Sequence, residues 1–318
     1  MRYTKKGFVG YCKDEKIRGS STSGGVCYIL SEYIVENNGM VSGISINKNG
    51  KVIRENTINI ENIKRFQGSK YVQAYQGNTY KNIKETLDTG KKVLFIGTPC
   101  QVAGLRSYLK KDSRNLICVD FVCLGITSQK VFDSYLKTLN KDSKVCDVNF
   151  KDKRNGWRNF TFYAKFEDGS EFADNGRSNT YMKSVIEKIC NRPCCYNCIF
   201  RKRERLSDIT VADAWGMEKI VPKLVDDKGT SSIMVNTEKG NELLNAVKNK
   251  MILEEVSVNV MWESNKSAWC EYEVPTTRGI FFEKFQKTDF QQAINKVDTI
   301  KKCVNIFRKF IWLNNGEI

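Results

Sequence analysis

Arg192-Pro193-Cys194-Cys195-Tyr196-Asn197-Cys198 is where this sequence concentrates its chemistry. Two residues between Cys195 and Cys198 allow a tight loop to turn both sulfurs toward one metal. A pair cannot hold a metal site alone, and the further ligands must come from Cys190, Cys194, Cys100, Cys118 or Cys123. Two completions are open. Cys190, Cys195 and Cys198 form a local Cys-x4-Cys-x2-Cys, the spacing of plant-type two-iron ferredoxins. Alternatively, Cys100 of Gly97-Thr98-Pro99-Cys100-Gln101 and Cys123 of Val122-Cys123-Leu124-Gly125 lie just past predicted buried strands, where α/β sheets place their working residues. An all-cysteine zinc site is the plainer reading of any Cys-x2-Cys, but the second such pair of a zinc ribbon is missing. Cys12, Cys27, Cys146, Cys270 and Cys303 stand singly and read as small buried side chains.

Histidine is absent from all 318 residues, which removes every Ser-His, Cys-His and His-metal arrangement. Proton chemistry must come from Lys, Tyr, Asp, Glu, Cys or a cofactor. The opening residues carry no apolar run of secretory type, and the longest apolar stretches are strand-length. A cytoplasmic protein without a membrane span is expected, and in that compartment 12 cysteines read as thiols or metal ligands rather than disulfides. The net charge of +16 calls for an acidic partner, yet Lys and Arg are scattered, with no basic tail, so nucleic acid is not expected. Assembly as a homo-oligomer is left open.

The elements that must position these cysteines follow from periodicity. Residues 23–35 read as a helix entered from a Ser/Gly loop, and 41–46 and 51–57 as strands. Residues 80–88, 101–109 and 130–139 read as helices alternating with buried strands at 92–96 and 116–122, an α/β arrangement with crossover connections. Residues 145–150, 160–166 and 171–173 alternate like antiparallel strands, and a helix over 180–188 leads into the cysteine loop. The tail, 285–312, has amphipathic helical spacing, with Ile294, Val297, Ile300, Val304, Phe307 and Ile311 on its apolar face. The fold class is therefore α/β: a mixed sheet with crossover helices, an antiparallel section and a C-terminal helical region. Its divisions are expected at 1–78, 79–240 and 241–318, packed as one compact unit.

Ser21-Thr22-Ser23-Gly24-Gly25-Val26, Gly68-Ser69-Lys70-Tyr71-Val72-Gln73, the Gly97–Leu105 stretch, the cysteine loop and Ser207-Asp208-Ile209-Thr210-Val211-Ala212-Asp213-Ala214-Trp215-Gly216 together resemble the coenzyme F420 hydrogenase/dehydrogenase beta-subunit family over residues 19–236. The resemblance implies an oxidoreductase binding FAD and a 4Fe-4S cluster, with Cys100, Cys123, Cys195 and Cys198 as metal ligands and Cys190 incidental. On that reading iron-sulfur is favoured over zinc. It also implies an N-terminal flavin-binding segment, 1–78, ahead of a cluster- and flavin-binding core, 79–240. Cofactor-binding residues would be Ser23, Gly24 and Gly25 at a helix start, Lys70 and Tyr71 beside the flavin, Thr98 and Gln101, and Lys153 and Trp157 of the Lys-Asp-Lys-Arg-Asn-Gly-Trp turn. No single catalytic residue is assigned.

Two positions depart from the family pattern: Leu124 stands where His is common, and Ala212 where Gly is common. No run resembles the Cys-x2-Cys-x2-Cys-x3-Cys-Pro of the ferredoxin-like domain that opens longer relatives. The expected activity is electron transfer between a separate ferredoxin-like protein and a hydride-type acceptor, F420 or another small molecule. The competing reading is a zinc-stabilised nucleic-acid-binding protein.

Overall fold

A computed structural model describes residues 6–270 and 272–314, with side chains described over 6–266, 268–270 and 272–305. The chain opens with β1 (Lys6–Cys12), the short α1 (Glu15–Ser20), α2 (Val26–Glu36) and the pair β2 (Met40–Ile46) and β3 (Val52–Thr57). One turn of α3 (Ile60–Ile63) and α4 (Thr79–Asp88) lead to β4 (Val93–Gly97), α5 (Pro99–Leu109), β5 (Leu116–Phe121) and α6 (Gln129–Leu139). Then come β6 (Val145–Asp152), β7 (Thr161–Phe166), β8 (Glu171–Asn175) and α7 (Thr180–Ile186). Beyond the cysteine loop lie β9 (Ile209–Asp213), β10 (Ser231–Val235), α8 (Glu238–Val247), β11 (Met251–Glu255), α9 (Val258–Ser264), α10 (Thr277–Phe285) and α11 (Phe290–Asn314).

Eight strands form one mixed sheet in the order β11-β1-β10-β9-β5-β4-β2-β3, and β6, β7 and β8 form a separate antiparallel sheet. The centre of the large sheet, β2, β4, β5 and β9, is parallel. Such strands are buried on both faces, which is why β4 and β5 read as largely apolar runs, with Asp120 the one charged residue of the two. Leu94, Ile117 and Val119 face a core made with α2 and α8, while Val93, Phe95, Leu116 and Cys118 face one made with α4 and α5. Each fully buried large side chain contributes roughly 1.5–3 kcal/mol of burial free energy. The three-stranded sheet packs with α6, α7, α10 and α11 around Phe132, Tyr135, Phe150, Phe162, Tyr181 and Phe290.

The expected α/β architecture is present, and the differences lie in detail. Strands β1, β9, β10 and β11 are not among the strands expected from the sequence; Gly7 and Gly10 interrupt β1, and β10 begins Ser231-Ser232. The helical tail expected over 285–312 is α11, which begins at Phe290, and α10 ends where the expected range starts, at Phe285. Its apolar face is buried at Ile294 and Val297, but Val304 is 45% exposed, and Phe307 and Ile311 lie outside the described side chains. Among the described residues no helix is long and apolar enough to cross a membrane.

Parallel alignment sends the chain out of β4, β5 and β9 at the same edge of the sheet, into Thr98–Cys100, Val122–Cys123 and Ala214–Trp215 respectively. The alignment rests on Asp208, whose carboxylate is fully buried. It accepts from the Cys118 amide at 2.7 Å and from Thr237 Oγ1 at 2.6 Å, with Arg106 Nη2 at 3.4 Å and Lys239 Nζ at 3.9 Å. One side chain thus joins β5, α5, α8 and the entry to β9. We expect Asp208→Asn to lower stability by about 2–3 kcal/mol through loss of charge-assisted hydrogen bonds. The check is urea denaturation, in which the midpoint falls while the slope stays constant.

Candidate functional site

Cys100 sits in the first turn of α5, a helix started by Pro99 and by a capping box in which Thr98 and Gln101 bond reciprocally. Thr98 Oγ1 lies 3.1 Å from Cys100 Sγ. Burial raises the Cys100 pKa, the Thr98 contact opposes this, and Cys198 and Cys194 raise it further as neighbouring thiols. Cys123 follows β5, where Gly125 N–H points at its sulfur from 3.4 Å. Its thiol is pushed up to about 12, chiefly by burial; the Gly125 bond opposes, while Cys100, Cys195 and Cys198 add to the rise. Cys195 closes a single 3-10 turn at Pro193–Cys195, and burial lifts its thiol to about 11 against a backbone hydrogen bond from Ile126. Cys100, Cys123, Cys195 and Cys198 therefore share one electrostatic neighbourhood, with Cys194 at its margin.

Cys190 faces elsewhere. It is 1% exposed, belongs to the aromatic core of α6, α7 and α11, and is lifted to about 12 by burial, with Ser184 and Arg278 as its polar neighbours. The local Cys-x4-Cys-x2-Cys is thus split: a left-handed residue, Lys188, turns the chain after α7, and Cys190 enters the core while Cys195 and Cys198 leave it. Among the described residues, no three side chains of Cys, Asp or Glu come close enough together to hold a single metal ion.

The other expected site residues fall into two groups. Ser23, Gly24 and Gly25 form the turn ahead of α2, with Gly25 at φ 83° as its N-cap. Ser23 Oγ donates to Thr230 O at 2.6 Å, and Gly24 N–H to Ser231 Oγ at 3.0 Å. The Lys153 ammonium binds three carbonyls, those of Arg18, Ser23 and Lys228, at 2.6–2.9 Å, and so ties this turn to the β6 end and the β10 loop. Thr98 and Gln101 build the α5 cap, and Gln101 Oε1 also accepts from Arg54 Nη2 at 2.9 Å. Among the described residues Arg54 is buried and bonded only to neutral acceptors, including Ser42, Gln76 and Ile96 O; burial lowers its pKa to about 10.

Lys70 and Tyr71 lie beside the second sheet. The Lys70 ammonium donates to Arg65 O and Gln67 O, and desolvation around it lowers its pKa to about 7 although the side chain is not wholly covered. Trp157 is 1% exposed and stacks on Trp215, with centroids 4.5 Å apart and planes 6° apart, and its indole N–H has no partner among the described residues. Nearby, Lys151 Nζ bonds Asp213 Oδ2 at 3.0 Å and lies 5.9, 5.3 and 5.7 Å from the rings of Tyr71, Phe160 and Trp215. Burial would lower the Lys151 pKa, but Tyr71 and Asp213 outweigh it and hold the ammonium charged. Sequence reasoning missed Lys151 and Asp213. Both lie in segments that the sequence marks: Asp213 in Ser207–Gly216, and Lys151 as the first residue of the Lys-Asp-Lys-Arg-Asn-Gly-Trp turn, from which only Lys153 and Trp157 are expected to bind. Cavities of about 300 Å³ beside Arg54 and Asn82, and about 260 Å³ beside Val256 and Asn259, are lined by none of the clustered cysteines.

Thiol chemistry separates these environments. At about pH 8.5, the free-thiol pKa, alkylation of metal-free protein should modify exposed Cys194 and Cys146 first and spare Cys190 and Cys118, whose labelling should climb only as pH rises toward their raised values. Mass spectrometry of labelled peptides checks this, and equal rates at Cys190 and Cys194 would contradict the assigned burial.

A chain of the xenon-derivatised F420-reducing NiFe hydrogenase complex from Methanosarcina barkeri has a similar fold, with TM-score 0.57 at 16% identity over 84% of this chain and 89% of that one. No curated protein matches at the sequence level. The family model for the carboxy-terminal part of the beta subunit of coenzyme F420 hydrogenase/dehydrogenase matches residues 90–260, which span β4, the cysteine loop and β9 through β11. That is more than half of the chain, and the protein belongs to the coenzyme F420 hydrogenase/dehydrogenase beta-subunit family.

Proposed function

We propose that this oxidoreductase is an iron-sulfur flavoprotein, which passes electrons between a one-electron carrier protein of ferredoxin type and a hydride-type acceptor, F420 or another small molecule. The observation that carries the proposal is the company of Cys123: Cys100, Cys195 and Cys198, drawn with it from three separated segments. Four thiols and no histidine form a donor set suited to a 4Fe-4S cluster. The family resemblance favours a cluster over zinc, and the second Cys-x2-Cys pair of a zinc ribbon is missing from the sequence. The zinc-stabilised nucleic-acid binder lacks that pair and a basic tail.

For FAD, the fit rests on aromatic surface at Tyr71 and Trp215, the charged Lys151 and the unpartnered indole N–H of Trp157. A bound flavin would exchange hydride on one side and single electrons on the other. The chain's own residues set the conditions. The start of α5 and the Gly125 N–H favour the thiolate forms of Cys100 and Cys123. The first amides of α2 have no carbonyl one turn back and, with Ser23, Gly24 and Gly25, suit a phosphate. Lys70 would add a cation there, and Lys151, held by Asp213, keeps a fixed positive charge against the aromatic surface. Thr98, Gln101 and Lys153 hold these segments in place. Exposed Lys202, next to the cysteine loop in a chain of net charge +16, suits an acidic partner.

Anaerobically purified protein should be brown, contain iron and sulfide, and release FAD on denaturation. Cys123→Ala should lose the iron and Cys190→Ala should keep it. A colourless protein carrying one zinc, or iron that depends on Cys190 instead of Cys123, would overturn the proposal.

A further inference from the structure

Tyr272 stands outside the family-matched residues 90–260, yet its hydroxyl lies between the two loops that carry Cys123 and Cys195. Its oxygen is 2.9 Å from Leu124 O and 3.2 Å from Cys195 O, so its single proton is shared between them, and it accepts from Asn191 Nδ2 at 3.3 Å. Each carbonyl has a second donor: Asn191 Nδ2 reaches Leu124 O at 2.9 Å, and Arg201 Nη2 reaches Cys195 O at 3.0 Å. Both Lys188 Nζ and Arg201 Cζ lie over the ring, each 3.8 Å from the centroid. The Tyr196 ring meets Tyr272 near-perpendicularly at 5.8 Å. Without the π-system beside them, two like charges would be left close together.

The loops accept this contact only because residue 125 is glycine. Gly125 has φ 100°, and a Cβ there would lie 2.3 Å from Asn191 Nδ2 and 3.1 Å from Tyr272 Oη. Gly125, Asn191, Arg201, Lys188 and Tyr272 thus form one arrangement, and its removal frees the loops relative to each other.

We infer that Tyr272 is a positioning residue, a clamp from the C-terminal region that fixes the Cys123 loop against the Cys195 loop and so presets their separation for metal. Its role toward a cluster rests on the proposed function, while the clamp itself is a property of the bare protein. The hydroxyl fixes the distance and the ring offsets the repulsion between Lys188 and Arg201, so Tyr272→Phe removes one contribution and Tyr272→Ala both.

Two measurements test it. In the metal-free protein, hydrogen exchange of residues 122–126 and 191–201 should quicken together in Tyr272→Ala, and less in Tyr272→Phe, while β4 and β5 keep their protection. In cluster-loaded protein, a chelator should strip iron on the order of tenfold faster from Tyr272→Ala, the size of effect expected of groups that orient metal ligands, with Tyr272→Phe in between. Leu244→Ala, in the core between α2 and α8, is the control for general destabilisation: it should lower the unfolding midpoint without changing iron release. Exchange confined to one loop or unchanged in Tyr272→Ala overturns the clamp. Quickened exchange with unchanged iron release overturns its role toward metal. A wild-type protein that takes up no cluster refutes the proposed function, and the exchange experiment still decides the clamp.

Discussion

Asp208 sits at the junction between the strands that deliver the site and the helices that cover them. A carboxylate taken out of water costs several kcal/mol unless its lone pairs are filled. Here an amide from β5, a guanidinium from α5 and a hydroxyl and an ammonium from the start of α8 surround it. The resulting register makes β5 and β9 neighbours, which is why Cys123 and Asp213 emerge at the same edge. The cysteine centre and the Lys151–Asp213 pair are both consequences of that parallel pairing.

Features with local causes were legible in the sequence. Pro99 and Gln101 announced α5, the apolar runs announced β4 and β5, and the strand-end rule placed Cys100 and Cys123 where they lie. The Cys195/Cys198 pair needed only its own spacing. What stayed hidden depends on tertiary contact. Lys151 opens a turn that the sequence marks, but it acquires its character from Asp213, 62 positions away. Cys190 illustrates the reverse error: its spacing suited a ferredoxin-type ligand, and the turn at Lys188 gives it to the core instead.

Aromatic rings take part in holding charge beside the clustered cysteines. With no imidazole in the chain, charge near the site is held by Lys and Arg against rings, at Lys151, Lys188 and Arg201. Against burial, Tyr71 and Asp213 hold Lys151 charged, whereas burial and the neighbouring Arg201 lower the Lys188 pKa, so the field at each cation is set by what packs against it.

Arg54 carries that principle to the other side of the cysteines. It is buried among neutral acceptors, and a pKa of about 10 leaves it charged in any cellular medium. Among the described residues no carboxylate is bonded to it to cancel its field, which adds to the partial positive charge at the start of α5 where Cys100 sits. Under the proposed function, an electron arriving at that end of the sheet would be stabilised, and a redox couple held by Cys100 would be biased toward its reduced form by a fixed positive charge.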